Sequence, residues 1–187
     1  DLALMSSLKR LDANVKFSQT AVGDRWLSQA LKENIDLVLG VEDSGHLVMS
    51  APHPRGGRCL VGDGVASLLA VLCAMSCEDR AMPFSRGFKR RISISPSNRS
   101  KWTGTNELAN TVEYIATNKL GELNRHGLTG EANLMLLETD GVSIGVRNSG
   151  TQAKTNVSLR VAPGIEHSVA LEAVEQIVAT LNENLCD

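Results

Sequence analysis

The first part of the chain shows short apolar runs separated by helical patterns. Leu37–Leu39 and Leu47–Met49 are continuous apolar runs with the length of buried strands. The pattern also predicts a helix over Asp24–Leu31 and a longer one that opens at the Gly-Asp-Gly of residues 62–64. Strand, turn, strand and helix in this order predict a partial α/β layer over residues 1–85.

Three segments around these elements are also assigned from their composition. Leu2–Leu8 is predicted to be the end of a strand that leads into a helix. Ala51–Arg58 is rich in proline and glycine and is predicted to be a loop. Glu78–Pro83 is predicted to end the second helix, which places a domain boundary near residue 85.

Beyond that boundary the periodicity changes to that of an antiparallel sheet packed against helices. Strands are predicted at residues 91–95, 134–137, 143–147 and 156–161. Helices are predicted around the apolar face of residues 108–116 and over Ser168–Leu181, whose apolar stripe is the stronger. Residues 86–187 are therefore predicted to form an α+β domain with a four-stranded, mainly antiparallel sheet and two helices.

Composition excludes several functional classes. The 187 residues carry 19 basic and 21 acidic side chains, a formal net charge of −2, so no basic surface for nucleic acid is expected. No apolar run approaches the roughly 20 residues that cross a bilayer, and no membrane association is expected. The four cysteines show no paired spacing, which is typical of thiols in a reducing cytoplasm, and no metal ligand set is predicted in the chain.

One candidate site lies in the polar segment between the two apolar strands of the first part. Glu42, Ser44 and His46 bring a carboxylate, a hydroxyl and an imidazole into five residues around Gly45. Such a loop can present several hydrogen-bonding groups in one direction, which suits a polyhydroxylated ligand. The alternative is an ordinary polar turn whose side chains bond their own backbone.

A second candidate site lies between two predicted strands of the second part, over residues 146–154. Arg147, Ser149, Thr151 and Lys154 supply a guanidinium, two hydroxyls and an ammonium around Gly150. These groups and the loop amides can cradle a phosphate, although the loop lacks the pattern of a nucleotide P-loop. The alternative is a hairpin turn that only reverses the chain.

Four motifs follow one another along the chain: Thr20-x-Val22-Gly23-Asp24-Arg25, Glu42-Asp43-Ser44-Gly45-His46, Gly62-Asp63-Gly64 and Arg147-Asn148-Ser149-Gly150-Thr151. In this order they resemble the C-terminal half of the α-D-phosphohexomutases. The first of them is similar to the phosphoglucosamine mutase branch of the family. The resemblance implies that residues 1–85 are the end of the third, sugar-binding domain and that residues 86–187 are the fourth, phosphate-binding domain.

The resemblance also implies roles for seven residues. In the third domain the sugar-binding residues would be Glu42, Ser44 and His46, the last also close to the chemistry. In the fourth domain the phosphate-binding residues would be Arg147, Ser149, Gly150 and Thr151. The whole enzyme would interconvert hexose 6-phosphate and hexose 1-phosphate, glucosamine phosphate being one candidate.

In this family a phosphoserine in the first domain and a Mg²⁺ loop in the second carry out the phosphoryl transfer. Neither a Thr-Ala-Ser-His-Asn segment nor an Asp-Gly-Asp-x-Asp-Arg segment occurs in this chain. We therefore expect that the chain is part of a longer cytoplasmic enzyme, that it is inactive alone, and that its partners are a phosphorylated hexose and the N-terminal domains. The Mg²⁺ ligands are expected outside it.

Five positions depart from the family pattern. Val41 stands where a glycine is expected, Ala21 where some members have a lysine, Asp43 where Met or Asn is common, and Gln152-Ala153 where Glu-Pro is usual. The alternative function is therefore a non-catalytic sugar-phosphate-binding or interaction module that derives from the family and retains its loops.

Overall fold

The computed structural model describes residues 2–42, 44–75 and 85–186, apart from the side chains of residues 6 and 11. The chain divides into two compact units. One is Ser7–Phe84, and the other is Ser85–Asp187 together with Asp1–Ser6. The first helix, α1 (Leu2–Leu11), therefore contributes residues to both units.

The unit over residues 7–84 is built on a small antiparallel sheet. Its elements are α2 (Asp24–Glu33), β1 (Leu39–Val41), β2 (Leu47–Pro52), β3 (Arg58–Val61) and α3 (Gly64–Ala74), with the strands in the order β1-β2-β3. Leu27, Leu31 and Val48 form its buried core, against which Leu37 and Leu60 pack. Burial of α2 residues four apart is what the amphipathic pattern predicts.

Two predictions for this unit are wrong. Leu2–Leu8 is helical throughout and is not the end of a strand, because its Leu, Ala and Met residues have high helix propensity and it contains no β-branched residue. The breaker-rich segment Ala51–Arg58 is not simply a loop: Pro52 pairs with Arg58, and β2 and β3 form a hairpin. The predicted end of the second helix at Glu78–Pro83 lies outside the described residues.

The unit that contains residues 85–187 has one antiparallel sheet in the order β4-β8-β7-β6-β5. The strands are β4 (Phe88–Ile94), β5 (Asn124–His126), β6 (Leu134–Thr139), β7 (Val142–Asn148) and β8 (Thr155–Val161). The helices are α4 (Glu107–Leu120) and α5 (Ser168–Leu185), and a 3₁₀ turn spans Arg99–Lys101.

The α+β architecture of this second unit is confirmed, whereas the predicted four strands are too few and the 3₁₀ turn is an addition to the two helices. The missed strand is β5, whose three polar residues give no apolar run. It is held at the sheet edge by pairing with β6.

The core of the second unit lies between the sheet and the two helices. Alternate residues of β7 and β8 are buried in it together with one stripe of α5. These residues are Val142, Ile144, Val146, Val157, Leu159, Val161, Ala170, Val174, Ile177 and Leu181. By the same alternation, Arg147 projects from the other face of the sheet. Within the described ranges no helix is both long and apolar enough to span a bilayer.

Candidate functional site

The first candidate loop is a tight turn between β1 and β2. The Glu42 amide donates to the His46 carbonyl at 3.0 Å, and the Gly45 amide donates to the Glu42 carbonyl at 3.0 Å. Gly45 has φ +92°, a conformation that side chains rarely adopt, so glycine is required at this turn. The turn thereby brings Glu42, Ser44 and His46 together, as the motif predicts, while Asp43 lies outside the described residues.

The Glu42 carboxylate is held in place from both sides. Oε1 accepts a hydrogen bond from the Gly23 amide, and Oε2 accepts one from the Ser44 hydroxyl at 2.8 Å. Gly23 precedes α2 with φ +124°, again a conformation that favours glycine. Only 15% of the Glu42 side chain is exposed. Since each carboxylate oxygen has two lone pairs, each retains an acceptor position for a ligand.

These bonds stabilise the ionised form of Glu42. The Ser44 hydroxyl contributes most to lowering the pKa of Glu42, partial burial opposes it, and the Gly23 amide and His46 lower it further. A carboxyl whose pKa is lower in the folded state contributes stability above its unfolded pKa and loses it as the pH falls through the folded one.

We expect Glu42→Gln to make the free energy of unfolding of the first unit, residues 7–84, less dependent on pH in the acid range. In the wild-type chain this contribution begins to fall near the ordinary glutamate pKa of about 4.3 and is lost below the lower, folded pKa. Urea unfolding at a series of acidic pH values, followed by Trp26 fluorescence in a Trp102→Phe background, measures it. An unchanged pH dependence in Glu42→Gln would contradict this expectation.

His46 lies beside two carboxylates. Its Nδ1 is 3.0 Å from Asp24 Oδ1 and 3.5 Å from Glu42 Oε2. One ligand atom from each of these residues lies within 4.8 Å of the others, so the three could contact one divalent cation. The set does not fit Mg²⁺, which prefers oxygen ligands, because one of its three donors is an imidazole nitrogen. We derive no step through Mg²⁺ at these residues.

A surface pocket of about 310 Å³ adjoins this cluster. Asp24 and His46 line it, together with the start of α3. The N-terminus of α3 is capped as predicted, because the Asp63 carboxylate accepts the Ala66 amide at 2.8 Å. A negatively charged cap at this wall disfavours a phosphate there, so the pocket suits hydroxyl groups better than anions.

In the second candidate loop, Arg147 already has an anionic partner. Its Nη1 donates to Glu131 Oε1 at 2.8 Å, and both side chains are partly buried, at 26% and 18% exposed. The sequence analysis did not predict this partner, which lies 16 residues away between β5 and β6. A phosphate bound by Arg147 must share the guanidinium with Glu131 or displace it.

The rest of the second loop is a short closed turn. The Ser149 amide donates to the Lys154 carbonyl at 2.8 Å, and the Ser149 hydroxyl accepts the amides of Thr151 and Gln152 at 3.4 and 3.3 Å. Ser149 is buried, whereas Gly150 and Thr151 are exposed. The Ser149 hydroxyl therefore shapes the turn, and Gly150 and Thr151 are the parts of it that a ligand can reach.

Two residues that sequence reasoning did not assign to the site support this turn. Arg99 Nη1 donates to the Ser149 carbonyl at 2.7 Å. The Asn148 amide donates to the carbonyls of Arg99 and Trp102 at 2.9 and 3.0 Å, and its oxygen accepts the Thr155 hydroxyl at 2.9 Å. No local sequence signal identifies these contacts, since Arg99 and Trp102 lie more than 45 residues from the loop.

Comparison with known proteins identifies the class of the first part of the chain. Residues 4–91 match the family model described as phosphoglucomutase/phosphomannomutase, alpha/beta/alpha domain III. The match includes the Gly23-Asp24 and Glu42–His46 segments whose contacts form the first site. The resemblance of this part of the chain to the phosphohexomutases is thereby confirmed, and residues 4–91 are similar to the third domain of that family.

Several curated relatives are phosphoglucosamine mutases. The chain is 39% identical over 71 residues to that of Paraburkholderia xenovorans (strain LB400), which covers 38% of this chain and 14% of the relative. It is 37% identical over 75 residues to that of Nitrosomonas europaea, covering 40% of this chain and 14% of the relative. It is 40% identical over 75 residues to that of Burkholderia thailandensis, which covers 40% of this chain and 15% of the relative. The matched segment thus spans about one seventh of each relative's length.

Proposed function

We propose that this chain is the sugar- and phosphate-binding part of a phosphohexomutase. The whole enzyme interconverts hexose 6-phosphate and hexose 1-phosphate, and glucosamine phosphate is the proposed substrate because the relatives are named phosphoglucosamine mutases. The observation that carries the proposal is the Glu42 carboxylate, fixed by Gly23 and Ser44 inside the segment that matches the family's third domain.

In this proposal the first loop recognises the sugar through hydrogen bonds to its hydroxyls. Glu42 is held ionised with acceptor positions left over, so it can accept hydrogen bonds from two neighbouring hydroxyls of a pyranose ring. Ser44 orients that carboxylate through its 2.8 Å bond, and His46 lines the adjoining pocket. Hydrogen bonds to an ionised group are the stronger ones, which gives the loop its selectivity among sugars.

The second loop binds the phosphate in this proposal. Arg147 supplies the bidentate guanidinium, Gly150 and Thr151 supply exposed backbone and hydroxyl groups, and Ser149 holds the turn. Residues 86–187 are then the fourth domain of the enzyme. The chain alone is expected not to turn the sugar phosphate over.

The remaining domains of the same enzyme are the proposed partners, and the proposed setting is cytoplasmic. Helix α3 supports this partnership, because it leaves a group of large apolar residues exposed. These are Val65, Leu68, Leu69, Val71, Leu72 and Met75. Exposed apolar patches of this kind mark surfaces that another protein part covers. The Mg²⁺ that the family uses is proposed to bind in those domains, where phosphoryl transfer takes place.

One observation favours the alternative of a non-catalytic binding module. Arg147 is paired with Glu131 in a partly buried contact, so its charge is already compensated by the protein itself. A chain that retained the fold but lost the phosphate grip would also show this pair. A chain without phosphate affinity would favour an interaction module, whereas a sugar-phosphate-binding module and part of a mutase would both bind phosphate.

We expect Glu42→Gln to weaken binding of glucosamine 6-phosphate by roughly 10-fold or more and to leave binding of inorganic phosphate unchanged. A lost hydrogen bond to a charged group costs about 1.5–3 kcal/mol, and each 1.4 kcal/mol is a factor of ten. Isothermal titration of the full 187-residue chain with each ligand measures both affinities.

The matched control for this experiment is Glu33→Gln, which makes the same change at an exposed carboxylate on α2. Its affinity for both ligands should equal that of the wild type. If Glu42→Gln lowers the affinity for both ligands equally, Glu42 does not recognise sugar hydroxyls. If it lowers neither affinity, Glu42 is not part of the binding site.

A further inference from the structure

The two nitrogens of the His46 imidazole have different surroundings. Nδ1 is 3.0 Å from Asp24 Oδ1 and 3.5 Å from Glu42 Oε2, whereas Nε2 has no partner among the described residues of the chain. His46 and Asp24 both line the pocket of about 310 Å³. The two ring nitrogens therefore have different surroundings: Nδ1 lies beside two carboxylates, and Nε2 is available to a ligand.

We propose that Asp24 is a positioning residue that fixes His46 in the tautomer with the proton on Nδ1, so that Nε2 acts as the acceptor for a hydroxyl of the bound hexose phosphate. An ionised carboxylate offers only lone pairs, so the tautomer that turns N–H rather than a second lone pair towards it is favoured. In a neutral imidazole the other nitrogen then has the free lone pair. The role of Nε2 rests on the proposed function, whereas the tautomer does not.

Asp24, rather than Glu42, carries this role in the geometry. Asp24 Oδ1 is the nearer of the two oxygens to Nδ1, at 3.0 Å against 3.5 Å. Glu42 Oε2 already accepts the Ser44 hydroxyl at 2.8 Å, and its other oxygen accepts the Gly23 amide. Asp24 is the first residue of α2, directly after Gly23, so the same helix start sets the positions of both carboxylates around the ring.

The consequence for the ligand is a defined direction of hydrogen bonding. With Nδ1 protonated, Nε2 can accept a hydroxyl proton but cannot donate one, while Glu42 is also an acceptor. The pocket then presents two acceptors to the sugar, which selects ligand groups that donate, such as hydroxyls or a protonated amine. A phosphate oxygen, which cannot donate when ionised, is disfavoured at this position.

The test is the ¹⁵N spectrum of the histidine rings in the full chain at mildly alkaline pH. Long-range ¹H–¹⁵N correlations distinguish the two tautomers, and His46→Gln identifies the His46 signals among the four histidines. His53 is an internal reference for the opposite tautomer, because its Nδ1 accepts the Arg55 amide at 3.1 Å. We expect the Nδ1–H pattern for His46 and the Nε2–H pattern for His53.

Asp24→Asn is expected to shift His46 towards the Nε2–H tautomer or a mixture, because an amide can donate to Nδ1 as well as accept from it. Asp24→Glu should restore the Nδ1–H form, and Glu42→Gln should retain it. A His46 that shows the Nε2–H pattern in the wild type, or a pattern that Asp24→Asn leaves unchanged, would overturn the proposal. The wild-type spectrum alone decides the tautomer if a variant does not fold.

This experiment is separate from the test of the proposed function. The tautomer is measured without ligand, so failure of glucosamine 6-phosphate to bind would leave the Asp24–His46 result intact. A chain that binds the ligand while His46 has the Nε2–H form would instead support the proposed function and remove Asp24 from its positioning role. If the inference is correct, addition of glucosamine 6-phosphate should shift the ¹⁵N signal of His46 Nε2 more than that of Nδ1.

Discussion

Arg147→Ala is expected to weaken binding of inorganic phosphate and of glucosamine 6-phosphate by about 30-fold or more. Removing the charged partner of a bound anion from a partly desolvated position typically costs about 2–5 kcal/mol, and we use the lower end because 26% of the Arg147 side chain is exposed. Both ligands should lose affinity to the same degree, since they share the phosphate. Isothermal titration of the full chain measures the loss.

The control for this prediction is Arg91→Ala, which removes a guanidinium from an exposed position of β4. It should leave both affinities within twofold of the wild type. Arg147→Ala itself should melt within several degrees of the wild type, because an ion pair that is only partly buried and that solvent still reaches contributes about 1 kcal/mol. Near-normal phosphate affinity in Arg147→Ala would remove the residue from the site and favour the non-catalytic alternative.

A second variant tests whether Glu131 and phosphate compete for the Arg147 guanidinium. Glu131→Gln leaves the shape of the Arg147 contact and removes its negative charge. If phosphate uses the Arg147 guanidinium, this variant should bind phosphate more tightly than the wild type, whereas a phosphate site elsewhere would be indifferent to it. Opposite effects of the two substitutions would therefore locate the anion at Arg147.

The long, strongly periodic elements of this chain were predictable from its sequence. The apolar stripe of α5 and the alternation of β8 each identify a face that must be buried, and both are buried in the second core. The elements that sequence reasoning missed are short. β5 has three polar residues and β3 has four residues, so the pairing partner, and not the strand's own composition, decides their structure.

The candidate site divides in the same way between local and long-range signals. Glu42, Ser44 and His46 lie within five residues, so one motif predicts that they meet, and the turn brings them together. Asp24 and Glu131 reach their partners from other elements, and a single sequence carries no signal for such pairs. Asp24 stood in the Gly-Asp-Arg motif without an assigned role, and its contact with His46 is what the structure adds.

The support of the second loop rests on one buried amide, that of Asn148. Asn148 is 9% exposed, and its side chain makes three hydrogen bonds that join β7 to the 3₁₀ turn, to Trp102 and to Thr155. Thr155 is fully buried, and its hydroxyl also contacts the Ser97 hydroxyl at 2.9 Å. None of these groups can find water readily if the amide is removed, so the loss of the amide leaves buried polar atoms without partners.

Asn148→Ala is therefore expected to destabilise the second unit by about 3 kcal/mol, the sum of three ordinary buried hydrogen bonds at about 1 kcal/mol each. For a unit of about 100 residues this corresponds to a melting temperature lower by roughly 12–24 °C. Thermal unfolding followed by the fluorescence of the buried Trp102, in a Trp26→Phe background, measures the change. Asn184→Ala, at an exposed position of α5, is the matched control and should change stability by less than about 0.5 kcal/mol.

The same variant separates support of the loop from binding by the loop. Asn148→Ala should lower both the melting temperature and the phosphate affinity, because Ser149 and the exposed turn beyond it lose their anchor to Arg99 and Trp102. Arg147→Ala should lower the affinity alone. If Asn148→Ala melts like the wild type, the buried amide is not what holds the turn. If it loses stability yet binds phosphate normally, the turn holds its shape through the Arg99 contact with the Ser149 carbonyl.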